Sequence, residues 1–232
     1  DGTVKLGVMA KGSGMIHPNM GTMLCFLTTD AKVDSFKLKN LLAETVDKSF
    51  NMISVDGDTS TNDMVVFLAN GQSGVEPQGT DWENFCKMVE YACCQMAMAI
   101  ARDGEGASKF LEIKVTGAKT VEDARKIARS VCSSNLVKSA MYGADANWGR
   151  ILAAAGYSGA DFDPQKADIY LNGLQVAAEG QGLMFSEEEA LKRLQEQDIL
   201  IEVRLKEGSA EATAWGCDLT HKYVDINASY RT

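Results

Sequence analysis

The residues best equipped for chemistry lie in one stretch, Lys11-Gly12-Ser13-Gly14-Met15-Ile16-His17-Pro18-Asn19-Met20-Gly21-Thr22-Met23-Leu24-Cys25-Phe26-Leu27-Thr28-Thr29-Asp30. At its centre Gly21 precedes Thr22. Glycine tolerates backbone angles closed to other residues, and with no Cβ it leaves its carbonyl open on both faces. A threonine hydroxyl beside such a carbonyl can attack it, shift the acyl group from N to O, and release a new amino terminus at Thr22. That amine would then act as the base for its own hydroxyl. The plainer alternative is a small-residue loop entering a strand, since the second half of the stretch is an apolar run.

Other chemistry-bearing residues are sparse. Glu105 sits between two glycines in Asp103-Gly104-Glu105-Gly106-Ala107-Ser108-Lys109, where folding alone does not demand a carboxylate. It reads either as an acidic turn or as a site. His17 and His221 are the only histidines, so a His-dependent triad or a His-rich metal site has little to draw on. That scarcity favours a nucleophile that brings its own base. Cys25, Cys86, Cys93, Cys94, Cys132 and Cys217 form no C-x-x-C pair and read as reduced core thiols of a cytosolic protein. Asp56-Gly57-Asp58-Thr59-Ser60-Thr61-Asn62-Asp63 imitates a calcium loop, but Thr61 stands where the glycine is required and Phe67 where the acidic residue is required. It reads instead as a polar turn.

The elements that must position these residues alternate between strands and helices. A strand is expected at Met23–Thr28, then a helix capped by Asp34 or Ser35 with Leu38, Leu41, Leu42 and Val46 at helical spacing. A strand follows at Met64–Ala69. Thr80-Asp81-Trp82-Glu83 predicts a capping box for a long helix with Trp82, Phe85, Val89, Cys93, Met96 and Ile100 inward. Beyond Glu105 come a strand with Leu111, Ile113 and Val115 on one face, and a helix from Thr120 with Val121, Ala124, Ile127, Ala128 and Val131 inward. Tyr142–Arg150 forms a loop, structural or close to substrate, before a small-residue helix at Ile151–Ala155. Ala167–Leu171 is a strand and Ser186 caps a further helix. Ile199–Leu205 and Ala210–Cys217 are expected to pair as a hairpin. Any division into two lobes falls near Gly117-Ala118.

The 232 residues fit one large domain or two small ones. A net charge of −9 argues against a nucleic acid or an anionic membrane as partner. No apolar run approaches the roughly 18 residues that span a bilayer, and no signal peptide opens the chain. Because the first residue is Asp1 rather than Met, a fragment of a longer product is expected.

The wording of the first stretch, Met-Ala-Lys-Gly-Ser-Gly-Met-Ile-His-Pro-Asn-Met-Gly-Thr-Met-Leu followed by Thr-Thr-Asp-Ala, closely resembles the processing site of the ornithine acetyltransferases. These are the bifunctional or monofunctional glutamate N-acetyltransferases of arginine biosynthesis. Gly21 replaces the alanine usual in that family. The Asp56–Asp63 turn, the Asp-Gly-Glu-Gly-Ala segment, the Tyr142–Arg150 loop and the ending Tyr223-Val224-Asp225-Ile226-Asn227-Ala228-Ser229-Tyr230-Arg231-Thr232 also resemble family signatures. The resemblance covers the whole chain but only the C-terminal half or so of the family's precursor.

It implies an α/β layered sandwich completed by the N-terminal chain. Residues 1–21 would be the tail of an alpha chain and residues 22–232 the beta chain. Thr22 would be the nucleophile, with Gly21 and Thr22 flanking the cut. Lys11, Thr22, Glu105, Asn227 and Thr232 would bind substrate, and no metal would take part. Acetyl would pass from N-acetylornithine through acetyl-Thr22 to glutamate, without a cofactor unless acetyl-CoA serves as a second donor. The alpha chain of the same precursor would be the partner in an alpha2beta2 heterotetramer in the cytoplasm, and the family's oxyanion-hole Thr-Gly pair would lie in that missing segment. One alternative is a related self-processing Thr hydrolase, an amidase or aminopeptidase that passes the acyl group to water; another is a non-enzymatic binding module that keeps the fold with an inert Thr22.

Overall fold

The computed structural model describes residues 2–17 and 23–229. Its elements run β1 (Leu6–Lys11), β2 (Leu24–Thr29), α1 (Ser35–Lys48), β3 (Ile53–Ser54), β4 (Met64–Ala69), α2 (Thr80–Arg102) and β5 (Phe110–Ala118). Then come α3 (Val121–Ser133), α4 (Asn135–Tyr142), α5 (Trp148–Gly156), β6 (Asp168–Leu171), β7 (Leu174–Ala178) and β8 (Gln181–Gly182). The chain closes with α6 (Glu187–Leu194), β9 (Asp198–Arg204), β10 (Ala210–Cys217) and α7 (His221–Ser229).

Two sheets form. One has three strands in the order β1-β2-β4, the other seven in the order β3-β10-β5-β9-β6-β7-β8. In the smaller sheet Cys25, Leu27 and Thr29 point inward toward α2, where Phe67 stacks on Phe85 with ring centroids 6.3 Å apart. In the larger sheet, consecutive residues of β10 report opposite faces. A Cβ on Gly216 would meet Cys132 of α3, whereas Cys217 lies against Gly104, just past α2. Leu111, Ile113 and Val115 share the Gly216 face through the β10 register, pair with Ile199, Ile201 and Val203 of β9, and are fully buried beneath α3. The chain is therefore an α/β layered sandwich with helices packed against both sheets.

The caps follow from sequence at most helix starts. Asp34 accepts from the N–H groups of Phe36 and Lys37, Thr120 from Asp123 and Ser186 from Glu189. The capping box at Thr80 does not form: Gly79 is the cap residue and no side chain caps α2. In α2 the fully buried stripe is Phe85, Val89, Cys93, Ala97 and Ile100, with Trp82 and Met96 half-buried at its margin. Val121 is exposed, because it begins the first turn of α3 before the helix reaches the sheet.

The expected hairpin of the last two strands is also overturned. β9 and β10 do not pair with each other; β5 lies between them, parallel to β9 and antiparallel to β10. The 205–209 link crosses the end of β5, where Leu205 N–H donates to Thr116 O and Glu207 N–H to Gly117 O. A short turn between two apolar strands does not reveal a third strand of distant sequence inserted between them. Gly117-Ala118 lies within β5.

Candidate active site

The loop after β1, the turn after α2 and the C-terminal helix meet at one cleft of about 840 Å³. Lys11, Ser13, Glu105 and Asn227 line it, with Met96 and Ile226 as apolar wall. Lys11 enters from the last residue of β1, opposite Leu24. Glu105 is held from two sides. Its N–H donates to Ser13 O at 2.8 Å, and its Oε2 accepts from Asn227 Nδ2 at 3.0 Å.

Two glycines make that packing possible. A Cβ at position 14 would lie 2.4 Å from the Glu105 carboxyl carbon. Gly106 has φ +70 and lies so close to α7 that a Cβ would sit 2.6 Å from Tyr223 N. The far end of the turn is tied to β10. Asp218, at the end of that strand, accepts from the N–H groups of Ser108 at 2.8 Å and Lys109 at 3.0 Å, and from the Ser108 hydroxyl. Thr220 Oγ1 donates to Gly106 O at 2.6 Å.

The C-terminal helix is also fastened to the Asp56 carboxylate, which accepts from Tyr223 Oη at 3.1 Å. Burial, followed by the neighbouring Asp56 charge, pushes the Tyr223 phenol up from its ordinary value. Asp56 further accepts from Met15 N–H and Ile16 N–H. Met15 adopts φ 53, an uncommon conformation for a residue with a side chain. Next to it, half-buried His17 lies between Ser54 Oγ at 3.0 Å and Arg129 Nη2 at 3.1 Å. Burial, then the Arg129 charge, lowers the His17 pKa.

Three of the expected site residues, Lys11, Glu105 and Asn227, thus come together although they lie far apart in the chain. Gly21, Thr22 and Thr232 lie outside the described residues, as does Tyr230. Ile226 is half-buried rather than fully buried. Tyr223, His17 and the two ends of the Asp56–Asp63 segment were missed as anchors. The repeated Asp in that segment signals backbone-binding turns, but not which backbone it binds. Among the described residues no cluster of His, Cys, Asp and Glu could hold a metal ion, and no helix is long and apolar enough to cross a membrane.

The ArgJ family model matches residues 1–232. The chain is 55% identical over 233 residues to the arginine biosynthesis bifunctional protein ArgJ of Symbiobacterium thermophilum, a match covering 99% of this chain and 58% of that protein. It is 53% identical over 233 residues to the protein of the same name in Geobacillus kaustophilus, covering 99% and 57%. The crystal structure of arginine biosynthesis bifunctional protein argJ from Bacillus halodurans matches with a TM-score of 0.86 and 47% identity, over 88% of this chain and 98% of that one. The chain spans a little over half the length of these curated relatives. With the family match over residues 1–232 and this level of identity, the chain belongs to the ArgJ family.

Proposed function

We propose that the protein is the C-terminal part of a self-processing glutamate N-acetyltransferase of arginine biosynthesis. In maturation the Thr22 hydroxyl adds to the Gly21 carbonyl carbon, the C–N bond breaks, and the hydroxyl proton ends on the released amine. Water then hydrolyses the ester, leaving a Gly21 carboxylate and a free Thr22 amine. In turnover that amine takes the Thr22 hydroxyl proton as the oxygen attacks the acetyl carbonyl of N-acetylornithine. Ornithine leaves with the proton, and the glutamate amine attacks acetyl-Thr22 to give N-acetylglutamate. No cofactor enters, since the acyl bond energy passes from amide to ester to amide; acetyl-CoA as a second donor would make the enzyme bifunctional.

The observation that carries this reading is the convergence of Lys11, Glu105 and Asn227 on one cleft in a chain of this family. The Lys11 cation suits a substrate carboxylate or developing negative charge, and Glu105 suits a substrate ammonium or the Thr22 amine. Asn227, bonded to Glu105, and the Thr232 hydroxyl would grip the amino-acid backbone common to ornithine and glutamate. The preceding segment of the precursor would be the alpha chain of an alpha2beta2 heterotetramer and would supply the oxyanion hole. An apolar, uncovered face on the three-stranded sheet supports such a partner: Met9 is 71%, Phe26 38% and Leu68 56% exposed. The six free cysteines suit the cytoplasm.

The test is made on the protein expressed with its preceding segment. Amino-terminal sequencing should find a second start at Thr22, and labelled acetyl should move from N-acetylornithine only when glutamate is present. Acetyl release without glutamate would favour the hydrolase, and a single upstream start site would overturn self-processing. Formation of N-acetylglutamate from acetyl-CoA separates the bifunctional from the monofunctional form.

A further inference from the structure

The polar segment between β3 and β4 contributes no lining to the cleft, yet it holds both flanks of residues 18–22. On the upstream side Asp56 accepts from Met15 N–H at 2.7 Å and Ile16 N–H at 3.0 Å. Thr59 Oγ1 donates to His17 O at 3.1 Å, and Val55 N–H donates to Ile16 O at 2.6 Å. On the downstream side Asp63 accepts from Met23 N–H at 2.5 Å, and Met64 N–H donates to Met23 O at 2.9 Å. Four residues around the junction, Met15, Ile16, His17 and Met23, are thus tied to residues 55–64. The segment is itself stiffened by local turns: Asp58 N–H donates to Asp56 Oδ1 at 3.3 Å and Asn62 N–H to Ser60 Oγ at 3.1 Å.

A polar surface turn needs none of these long-range bonds. Carboxylates are acceptors only, and their bonds to backbone N–H groups are charge-assisted and short. Asp63 makes its bond at a cost, because its Oδ2 is buried without a partner among the described residues. Burial accordingly raises its pKa against the opposing effect of the Met23 bond. Without the need to fix Met23 N–H, a smaller or apolar residue would avoid that unsatisfied oxygen.

We propose that residues 55–64 form a jig for self-cleavage that holds the described flanks of the Gly21–Thr22 junction, Met15–His17 on one side and Met23 on the other, with Asp56 and Asp63 as positioning residues. The inference rests on the self-processing reading above. Attack of a hydroxyl on the adjacent carbonyl needs reacting atoms held about 3–3.5 Å apart in the right orientation, and a displacement of about 1 Å can cost roughly 100-fold. The clamps act on opposite sides of the scissile bond in the sequence, Asp56 holding Met15 and Ile16 before it and Asp63 holding Met23, one residue past Thr22.

The test follows the first-order splitting of the full-length precursor by electrophoresis and mass spectrometry, alongside its melting midpoint. Asp63→Ala removes the acceptor and should slow splitting by about 10- to 100-fold. Asp63→Asn keeps a carbonyl oxygen for Met23 N–H and should restore the rate to within a few-fold of wild type. Splitting of Asp63→Ala at the wild-type rate would overturn the jig, and so would an Asp63→Asn as slow as the alanine variant. If Asp63→Ala does not fold, Thr59→Val reads the same jig from an exposed hydroxyl. About 2- to 10-fold slowing is expected there, and an unchanged rate overturns the proposal. A wild-type precursor that never splits overturns the self-processing reading itself, and the jig with it.

Discussion

The two sheets differ most on the faces their own helices leave uncovered. On the seven-stranded sheet, the face opposite α3 meets the end of α2 at buried Cys217 and, beyond that contact, carries Glu112 and Lys114 of β5, Glu202 of β9 and Thr213 of β10, all half-buried. On the three-stranded sheet the outward residues align by register as Gly7-Thr28-Leu68, Met9-Phe26-Val66 and Lys11-Leu24-Met64. Six of these nine are apolar. A sheet meant to face water alternates apolar-in with polar-out, which the larger sheet does and the smaller does not. The larger sheet is finished by this chain; the smaller one presents the kind of patch that marks an interaction surface. Lys11 lies in that apolar grid, so whatever covers the sheet also borders the cleft.

Like substitutions on the two sheets should therefore behave unlike. Ile113→Ala, beneath α3, should cost about 2–5 kcal/mol of global stability, read as a drop in the denaturant midpoint. Phe26→Asp on the bare face should leave the midpoint of the 232-residue chain within about 0.5 kcal/mol. In the full-length protein the same change should prevent the two polypeptides of the proposed self-cleavage from co-purifying, since it would bury a charge without a partner. Co-purification at wild-type yield would break the comparison.

The next effect lies where the two sheets meet. Glu105 follows α2, Lys11 ends a strand of the small sheet, and Asn227 belongs to the helix that follows β10. Glu105→Gln keeps the size, removes the charge and should spare the fold. The expected loss is about 2–4 kcal/mol of transition-state stabilisation, roughly 30- to 1,000-fold in kcat/KM. A wild-type rate would return Glu105 to an acidic turn.

A smaller change is expected at the C-terminal helix. Tyr223→Phe deletes the bond to Asp56 and should raise KM for the proposed substrates, N-acetylornithine and glutamate, by about 2- to 10-fold. Deleting Tyr230–Thr232 should raise KM for both substrates as well. Self-cleavage should persist in both variants, because the Asp56 bonds to Met15 and Ile16 do not pass through this helix. Wild-type kinetics in the truncated enzyme would strike Thr232 from the site.

How much of this was legible in the sequence depended on the range of the interaction. Caps and periodic stripes were readable because they act within one or two turns: Asp34, Thr120 and Ser186 each cap a helix from three or fewer residues away. The insertion of β5 between β9 and β10 was not, since strand order is set by packing across the whole chain. α4 was missed because Asn135–Tyr142 is short and merges with a loop. At the site, Lys11, Glu105 and Asn227 came from motif wording, not spacing. The same wording marked Asp56–Asp63 without revealing its targets, because a side chain bonding to backbone 40 or 41 residues away leaves no local pattern.

The smallest effect concerns His17, which joins the two regions directly. It follows β1 of the small sheet and touches Ser54 of β3 and Arg129 of α3 on the large-sheet side. Arginine can only donate, so Nε2 must accept and the Nδ1 proton points to Ser54 Oγ; the ring is neutral. Protonation would set a second cation 3.1 Å from the guanidinium. Burial and Arg129 lower the pKa, and the Asp56 and Asp58 charges oppose them without prevailing. In the unfolded chain the imidazole titrates at its ordinary value of about 6.5. Below that value the unfolded state binds the proton more readily than the native state. The contribution of His17 to stability is therefore complete above about pH 6.5 and is lost as pH falls through the lowered native value. The melting midpoint, followed from neutral pH to about pH 5, should fall more steeply for wild type than for His17→Gln, which has no proton to take up. Parallel curves would mean that the junction between the sheets does not sense the charge at position 17.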